Sequence, residues 1–151
     1  MSEVIDISKL PIEIVAAPPS ARNYIKSTWL MSNRKSRWYE GVESALYYQK
    51  HGELVEHLID TRAIRVARWT EYPEQLYGWI CYDDLASACV VHYCYVGAKY
   101  RKIGLARALL HEVPSYVQGE RIVATHYSQV VSPHIERKFH LEHNPYYLHE
   151  V

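Results

Sequence analysis

Apolar positions in this chain follow two different periods. "PIEIVAA" (Pro11 to Ala17) alternates and is β-branched, which predicts a first strand; "PPSARN" supplies turn residues, with Ser20 placed to cap a helix. About forty residues of helical pattern follow. "RNYIKSTWLMS" groups Tyr24, Thr28 and Met31, with Ile25 and Trp29 along one face. "NRKSR" interrupts the pattern, and Trp38 to Ile59 resumes it through Val42, Ala45, Leu46, Leu54, Val55, Leu58 and Ile59, with Gly52 a point of division or bending.

From Ala63 the period becomes strand-like: "AIRVARW", "LYGWICYD" and "ACVVHYCYV" are separated by the loop "TEYPEQ" and the turn "DLAS". Three neighbouring antiparallel strands are expected. The third is apolar on both faces, with Val90, Cys94 and Val96 against Cys89, Val91 and Tyr93, as befits a central strand covered on both sides. Ile103, Ala106, Leu109, Leu110 and Val113 then mark one helical face that Pro114 closes. "RIVATHY" reads as another strand, "SPHIERKF" as a short helix capped by Ser132, and "NPYYLHEV" as a last strand. The order β, α, α, β, β, β, α, β, α, β predicts an α/β fold around a mixed sheet, and 151 residues fit a single domain, 1–151.

Charge changes this picture only locally. Lys and Arg number 17, as do Asp and Glu, so any preference for a polyanion must come from clustering. One cluster runs from Arg22 to Arg37 with no carboxylate inside it. The other, Lys99, Arg101, Lys102 and Arg107, sits at the predicted start of the helix after the third strand, where the macrodipole is already positive. A bound anion would offset that repulsion. No apolar run approaches the ~18 residues of a membrane span and no signal-peptide layout is present, so a cytoplasmic protein that avoids membranes is expected. Cys81, Cys89 and Cys94 match no zinc or redox spacing and read as buried thiols. His134, His140, His143 and His149 fit no metal motif, so no metal is expected.

Phosphate-binding turns point backbone N–H groups at the anion and use glycine where it approaches closely. "GAKYRK" from Gly97 lacks the Gly-Lys-Ser/Thr of a P-loop, and no Gly-x-Gly-x-x-Gly is present. "RKIGLA" (Arg101 to Ala106) does match the Arg/Gln-x-x-Gly-x-Gly/Ala signature of the GNAT (GCN5-related N-acetyltransferase) superfamily, which the chain resembles. "VVHYCYVGAKYRKIGLARALL" is similar to that family's strand 4, pyrophosphate turn and helix 3, "LYGWICYD" to its strand 3, and "RIVATHY" with "SPHIERKF" to strand 5 and helix 4. "YIKSTWLMSNRKS" and "GWICYD" further resemble small GNAT-like proteins encoded by tailed phages and prophages, which would place the protein in a host cytoplasm.

The resemblance implies a GNAT acyl-CoA N-acyltransferase fold, with a mostly antiparallel sheet, splayed strands 4 and 5 and helices on both faces. It implies acetyl-CoA as cosubstrate. The pyrophosphate would be cradled by the backbone of Arg101, Lys102, Ile103, Gly104, Leu105 and Ala106, and the pantetheine arm would run along Cys94, Tyr95 and Val96. An acceptor amine must be deprotonated before attack. Where the family often has a strand-4 Glu, this chain has His92, which reads either as that base or as a packed, hydrogen-bonded strand histidine. The family's leaving-group acid is a helix-4 Tyr, but aligning Ser132 and Ile135 with its motif puts Phe139 there. Tyr127 or a water is left to substitute. Cys94 has no readable His-Asp arrangement around it as a nucleophile.

In the family the acceptor enters over the helix 1 to helix 2 loop, here the basic and aromatic "MSNRKSRWY". That loop reads as solvated or as a surface for an acidic or nucleic-acid partner. The acceptor itself is unidentified: a small molecule, a protein or a modified base. Two functions follow, an N-acetyltransferase, or a catalytically weak or inactive GNAT-fold binding protein of a phage that can retain CoA. Short final strands leave room for a homodimer that completes the sheet.

Overall fold

The computed structural model describes residues 10–35, 39–84, 89–100, 104–113, 122–125 and 141–143, with only the backbone of Asp84, Leu141 and His143. Its elements are β1 (Ile12–Ala16), α1 (Arg22–Arg34), α2 (Ser44–Thr61), β2 (Ala63–Trp69), β3 (Leu76–Asp84), β4 (Cys89–Val96), α3 (Leu105–Leu110), β5 (Ile122–Ala124) and β6 (Leu141–His143). The strands form one mixed α/β sheet in the order β1-β2-β3-β4-β5-β6. β1 to β4 pair antiparallel, whereas β4, β5 and β6 run parallel.

Each face carries its own core. On one face α3 buries Leu105, Leu109 and Leu110 against Ile80, Tyr82, Val91, Cys94 and Val96. On the other, α1 and α2 bury Ile25, Trp29, Val55 and Leu58 against Val66, Trp79, Cys81 and Tyr93. Burial of such side chains stabilises by roughly 1.5–3 kcal/mol each, so both helical layers are held mainly by the sheet. Aromatic geometry fixes where α1 lies. Trp29 packs on Trp79 and Tyr93 at centroid separations of 5.0 and 5.6 Å, and Trp79 Nε1 donates to Thr28 Oγ1 at 2.9 Å.

Several local expectations are corrected. Ser20 does not cap α1: Pro19–Ala21 forms a 3₁₀ turn and Ala21 takes the cap position without a side-chain bond. Met31 is exposed, whereas Leu30 and Asn33 join Ile25 and Trp29 in the buried face. α2 begins at Ser44 and not at Trp38, because Gly41 has φ +91°, a left-handed conformation that cannot continue a helix. Gly52 neither divides nor ends α2. β6 lies just before the expected strand "NPYYLHEV", which falls outside the described residues; three residues are too few to produce a readable period.

The basic run from Arg22 finds its carboxylates on α2. Arg22 pairs with Asp60 at 2.5 Å and Lys26 with Glu56 at 2.6 Å. Arg34 turns inward, donates to the carbonyls of Tyr39 and Val42 and lies 5.1 Å from the Tyr47 ring centroid. Beside it Asn33 Nδ2 and His51 Nε2 meet at 2.9 Å, with His51 stacked on Tyr47. Burial lowers the His51 pKa to about 4.

Two tests follow from this packing. A Cβ on Gly78 would lie 2.5 Å from Tyr95 O on β4, whereas one on Gly52 meets only Leu30 Cδ1 at 4.0 Å. Gly78→Ala should therefore lower unfolding free energy by about 1–3 kcal/mol in denaturant titrations, and Gly52→Ala should raise it by about 0.5–1 kcal/mol. The second concerns His51. Between pH 6.5 and about 4 the unfolded chain protonates this imidazole and the folded chain does not, so its contribution to stability falls as pH drops through that window. The loss should reach about 3 kcal/mol at the acid end. His51→Gln should flatten the stability profile across it, relative to wild type.

Candidate active site

The central feature of the sheet is an extra residue in β4. Cys81 pairs with Tyr93 and Tyr82 pairs with Val91, so His92 has no opposite number on β3. Such a bulge reverses which side chains face which way beyond it. This corrects the simple alternation expected from sequence: Cys89 and Val91 share the α3 face with Cys94 and Val96, while Tyr93 and Tyr95 lie on the α1 side. Simple alternation would also put His92 on the face of Cys94 and Val96, and the bulge breaks that parity.

Among the described residues β4 runs past its register with its parallel neighbour. The β4 to β5 register covers Cys89, Val90 and Val91, ending at Ala124 with Thr125 N donating to Val91 O at 3.1 Å. β4 continues to Val96. Gly97 N donates to Tyr77 O on β3 at 2.8 Å. Since antiparallel strands send alternate peptide groups to alternate sides, those of Cys94 and Val96 point toward the β5 side, beyond the last paired residue described there.

At the end of β4 the chain makes a 3₁₀ turn, Ala98–Tyr100, with Tyr100 N bonded to Gly97 O at 2.9 Å. Tyr100 packs on Tyr77, itself the extra residue of a second bulge between β2 and β3, at a centroid distance of 4.3 Å. A Cβ on Gly97 would meet the Tyr100 ring at 3.3 Å, so glycine there gives the ring room to seat against the sheet. Gly104 precedes α3 with φ +85° and open space around its absent Cβ. Its left-handed backbone explains the glycine, and the open space lets a ligand approach the main chain. Arg107 falls in the last turn of the six-residue α3, where a cation is favourable, and not at its start.

His92 itself is buried. Its Nε2 lies 3.2 Å from Asp83 Oδ2 at the end of β3, and Arg62 Nε lies 2.8 Å from the same oxygen but off the N–H axis. Burial lowers the His92 pKa, the Asp83 carboxylate raises it and the Arg62 charge lowers it again; burial dominates. At neutral pH the ring is the neutral imidazole, able to accept a proton. Thr125 Oγ1 reaches His92 O at 3.4 Å, tying the bulge to the end of β5.

Among the remaining candidates, Leu105 is buried beneath the turn and Ala106 packs against the same core. Cys94 is a buried free thiol whose pKa is pushed up to about 12 by burial, the opposite of an activated nucleophile. Cys81 and Cys89 are likewise buried. Arg101, Lys102, Ile103, Tyr127, Phe139, Ser132, Ile135, His134, His140 and His149 lie outside the described residues. Among the described residues no group of three or more His, Cys, Asp or Glu could hold a metal, and no helix is long and apolar enough to cross a membrane.

Asp83, Arg62, Thr125, Tyr77 and Tyr100 are site neighbours that the sequence did not single out. A charged residue closing the otherwise apolar "LYGWICYD" was the one available signal, for Asp83.

The chain matches no protein-family profile, and no curated protein matches it in sequence. Solved structures do match. A GNAT-family acetyltransferase from Brucella melitensis in complex with acetyl-CoA aligns over 85% of this chain and 80% of its own, with a TM-score of 0.57 and 18% identity. A ribosomal-protein-alanine N-acetyltransferase from Brucella melitensis biovar Abortus aligns over 85% and 88%, with a TM-score of 0.53 and 17% identity. The histone acetyltransferase HPA2 and related acetyltransferase from Corynebacterium glutamicum aligns over 75% of each chain, with a TM-score of 0.57 and 15% identity. The fold is that of the GNAT acetyltransferases.

Proposed function

We propose that residues 1–151 form a single GNAT-like domain that transfers the acetyl group of acetyl-CoA directly to an amine. The observation that carries this reading is the course of β4. It bulges at His92, extends past its described register with β5 with the Cys94 and Val96 peptide groups on that side, and leads through Gly97 into the 3₁₀ turn Ala98–Tyr100. A P-loop or dinucleotide fold would need neither the bulge nor the overhang.

These residues suit an acyl-CoA. Backbone N–H groups of Arg101 to Ala106 would hold its pyrophosphate, with charge from Lys99, Arg101 and Lys102, and its pantetheine arm would lie along Cys94, Tyr95 and Val96. Acetyl-CoA supplies the thioester whose acyl carbon the amine attacks. An N–H group of the splayed strands would polarise the thioester carbonyl. His92 would take the proton that the amine loses as the C–N bond forms. A proton for the departing thiolate would come from Tyr127 or a water.

Use of acetyl-CoA fits a cytoplasmic location, and the acceptor class stays a small molecule, a protein or a modified base. A homodimer completed through the final strands belongs to the same reading. Phe139 in the usual tyrosine slot favours the second reading, a phage protein of this fold that binds CoA with little or no turnover.

Native mass spectrometry and thermal unfolding with acetyl-CoA test the proposal. One acetyl-CoA per chain should bind and raise the melting temperature, with about 2.7 kcal/mol of stabilisation at a hundredfold excess over Kd. Gly104→Glu, which puts a carboxylate on a strained left-handed residue at the pyrophosphate turn, should abolish both effects. Neither binding nor a thermal shift would sink the reading. With an identified amine, His92→Gln should lower kcat by about 10²-fold or more. Binding without thiol release across a panel of amines would favour the second reading.

A further inference from the structure

His92, Asp83 and Arg62 form a polar chain graded from the interior to solvent. The side chains are 1%, 22% and 26% exposed respectively, and both contacts converge on one oxygen, Asp83 Oδ2. The three come from separate elements. His92 is the extra residue of β4, Asp83 pairs with Val90 near the end of β3, and Arg62 follows α2 with its N–H bonded to Leu58 O at 2.9 Å. A surface ion pair would contribute little. This one is directed at a buried imidazole.

The chemistry of the acceptor decides the tautomer. A carboxylate can only accept, so the ring nitrogen beside it must carry the hydrogen. Nε2 therefore donates to Asp83, and the lone pair is left on Nδ1. We propose that Asp83 is a positioning residue that holds His92 as its Nε2–H tautomer, making Nδ1 the proton-accepting atom, and that Arg62 fixes the Asp83 carboxylate in place. The assignment rests on the reading of His92 as the base. When a proton reaches Nδ1, an atom that is itself buried, the imidazolium keeps its Nε2–H bond to Asp83, whose negative charge stabilises it. No proton need pass to Asp83 in the transfer step.

Among the described residues the charged groups facing the ring are Asp83 from β3 and Arg62 from the end of α2. Thr125 of the β5 end meets the His92 carbonyl. The two charges act in opposite directions on the imidazole.

Long-range ¹H–¹⁵N correlation spectra of the uniformly labelled, ligand-free protein test this without an acceptor. The His92→Gln spectrum identifies His92 among the nine histidines. At pH 7 wild-type His92 should show a protonated Nε2 and an unprotonated Nδ1. An Nδ1–H tautomer would overturn the inference, and this measurement needs no destabilising variant. In Asp83→Ala the His92 titration should move to lower pH, and in Arg62→Ala to higher pH; an unmoved titration in folded Asp83→Ala would overturn it. Once an acceptor is known, Asp83→Ala should cut kcat by about tenfold or more while leaving the acetyl-CoA KM unchanged, because Asp83 is remote from the turn at Gly104. Full turnover by His92→Gln would instead defeat the base reading and leave the Asp83–His92 pairing standing.

Discussion

The insertion of His92 into β4 without a partner on β3 sets the arrangement of both cores. Before it, Cys89 and Val91 face α3; beyond it, Cys94 and Val96 face α3 although the residue count predicts the opposite. The same shift brings Tyr93 and Tyr95 beneath α1, where they pack against Trp29, Trp79 and Tyr24. A bulged strand also twists more strongly, and this bulge lies directly after the three residues described as paired with β5. Core packing and the course of the proposed cosubstrate groove thus depend on one residue, which is also the candidate base.

The helical layer on the opposite side is built from contacts distant in sequence. Arg22 and Lys26 reach α2 carboxylates 38 and 30 residues away, so two cations of a stretch that looks strongly basic are neutralised by the fold itself. Exposed pairs of this kind contribute little stability, but they remove two cations from any surface that would attract a polyanion. Arg34 is committed inward to the carbonyls that close the α1 to α2 connection. Of the cations in the loop read as a partner surface, Arg34 is thereby engaged by the protein itself.

Strands and the glycine turn were legible because their signals are short-range. The extents of "AIRVARW" and "LYGWICYD" survive to the structure almost residue for residue, and Gly104 adopts the left-handed backbone that a turn before a helix suggests. The β4 bulge was hidden because "ACVVHYCYV" is apolar on both faces, so a slip of parity leaves no polar residue on the wrong side. Asp83 and Arg62 were hidden because their role is set by register and by where α2 ends, neither of which the local sequence states. Gly41 is a milder case: its position inside an apolar helical pattern outweighed a conformational preference that ended the helix. Phe139 and Tyr127 lie outside the described residues, so the acid remains a matter of sequence alone.

The aromatic joint between α1 and the sheet has an optical consequence. Trp29 belongs to α1 and Trp79 to β3, yet their indoles sit 5.0 Å apart at 39°, with Tyr93 against both. Transitions of rings this close couple, which gives the folded protein a near-ultraviolet circular dichroism signature and quenched emission that neither ring has alone. Because the partners lie on separate layers, the signal reads the docking of the helix and not the formation of either element. The chain carries its own spectroscopic reporter of the seating of α1 on the sheet.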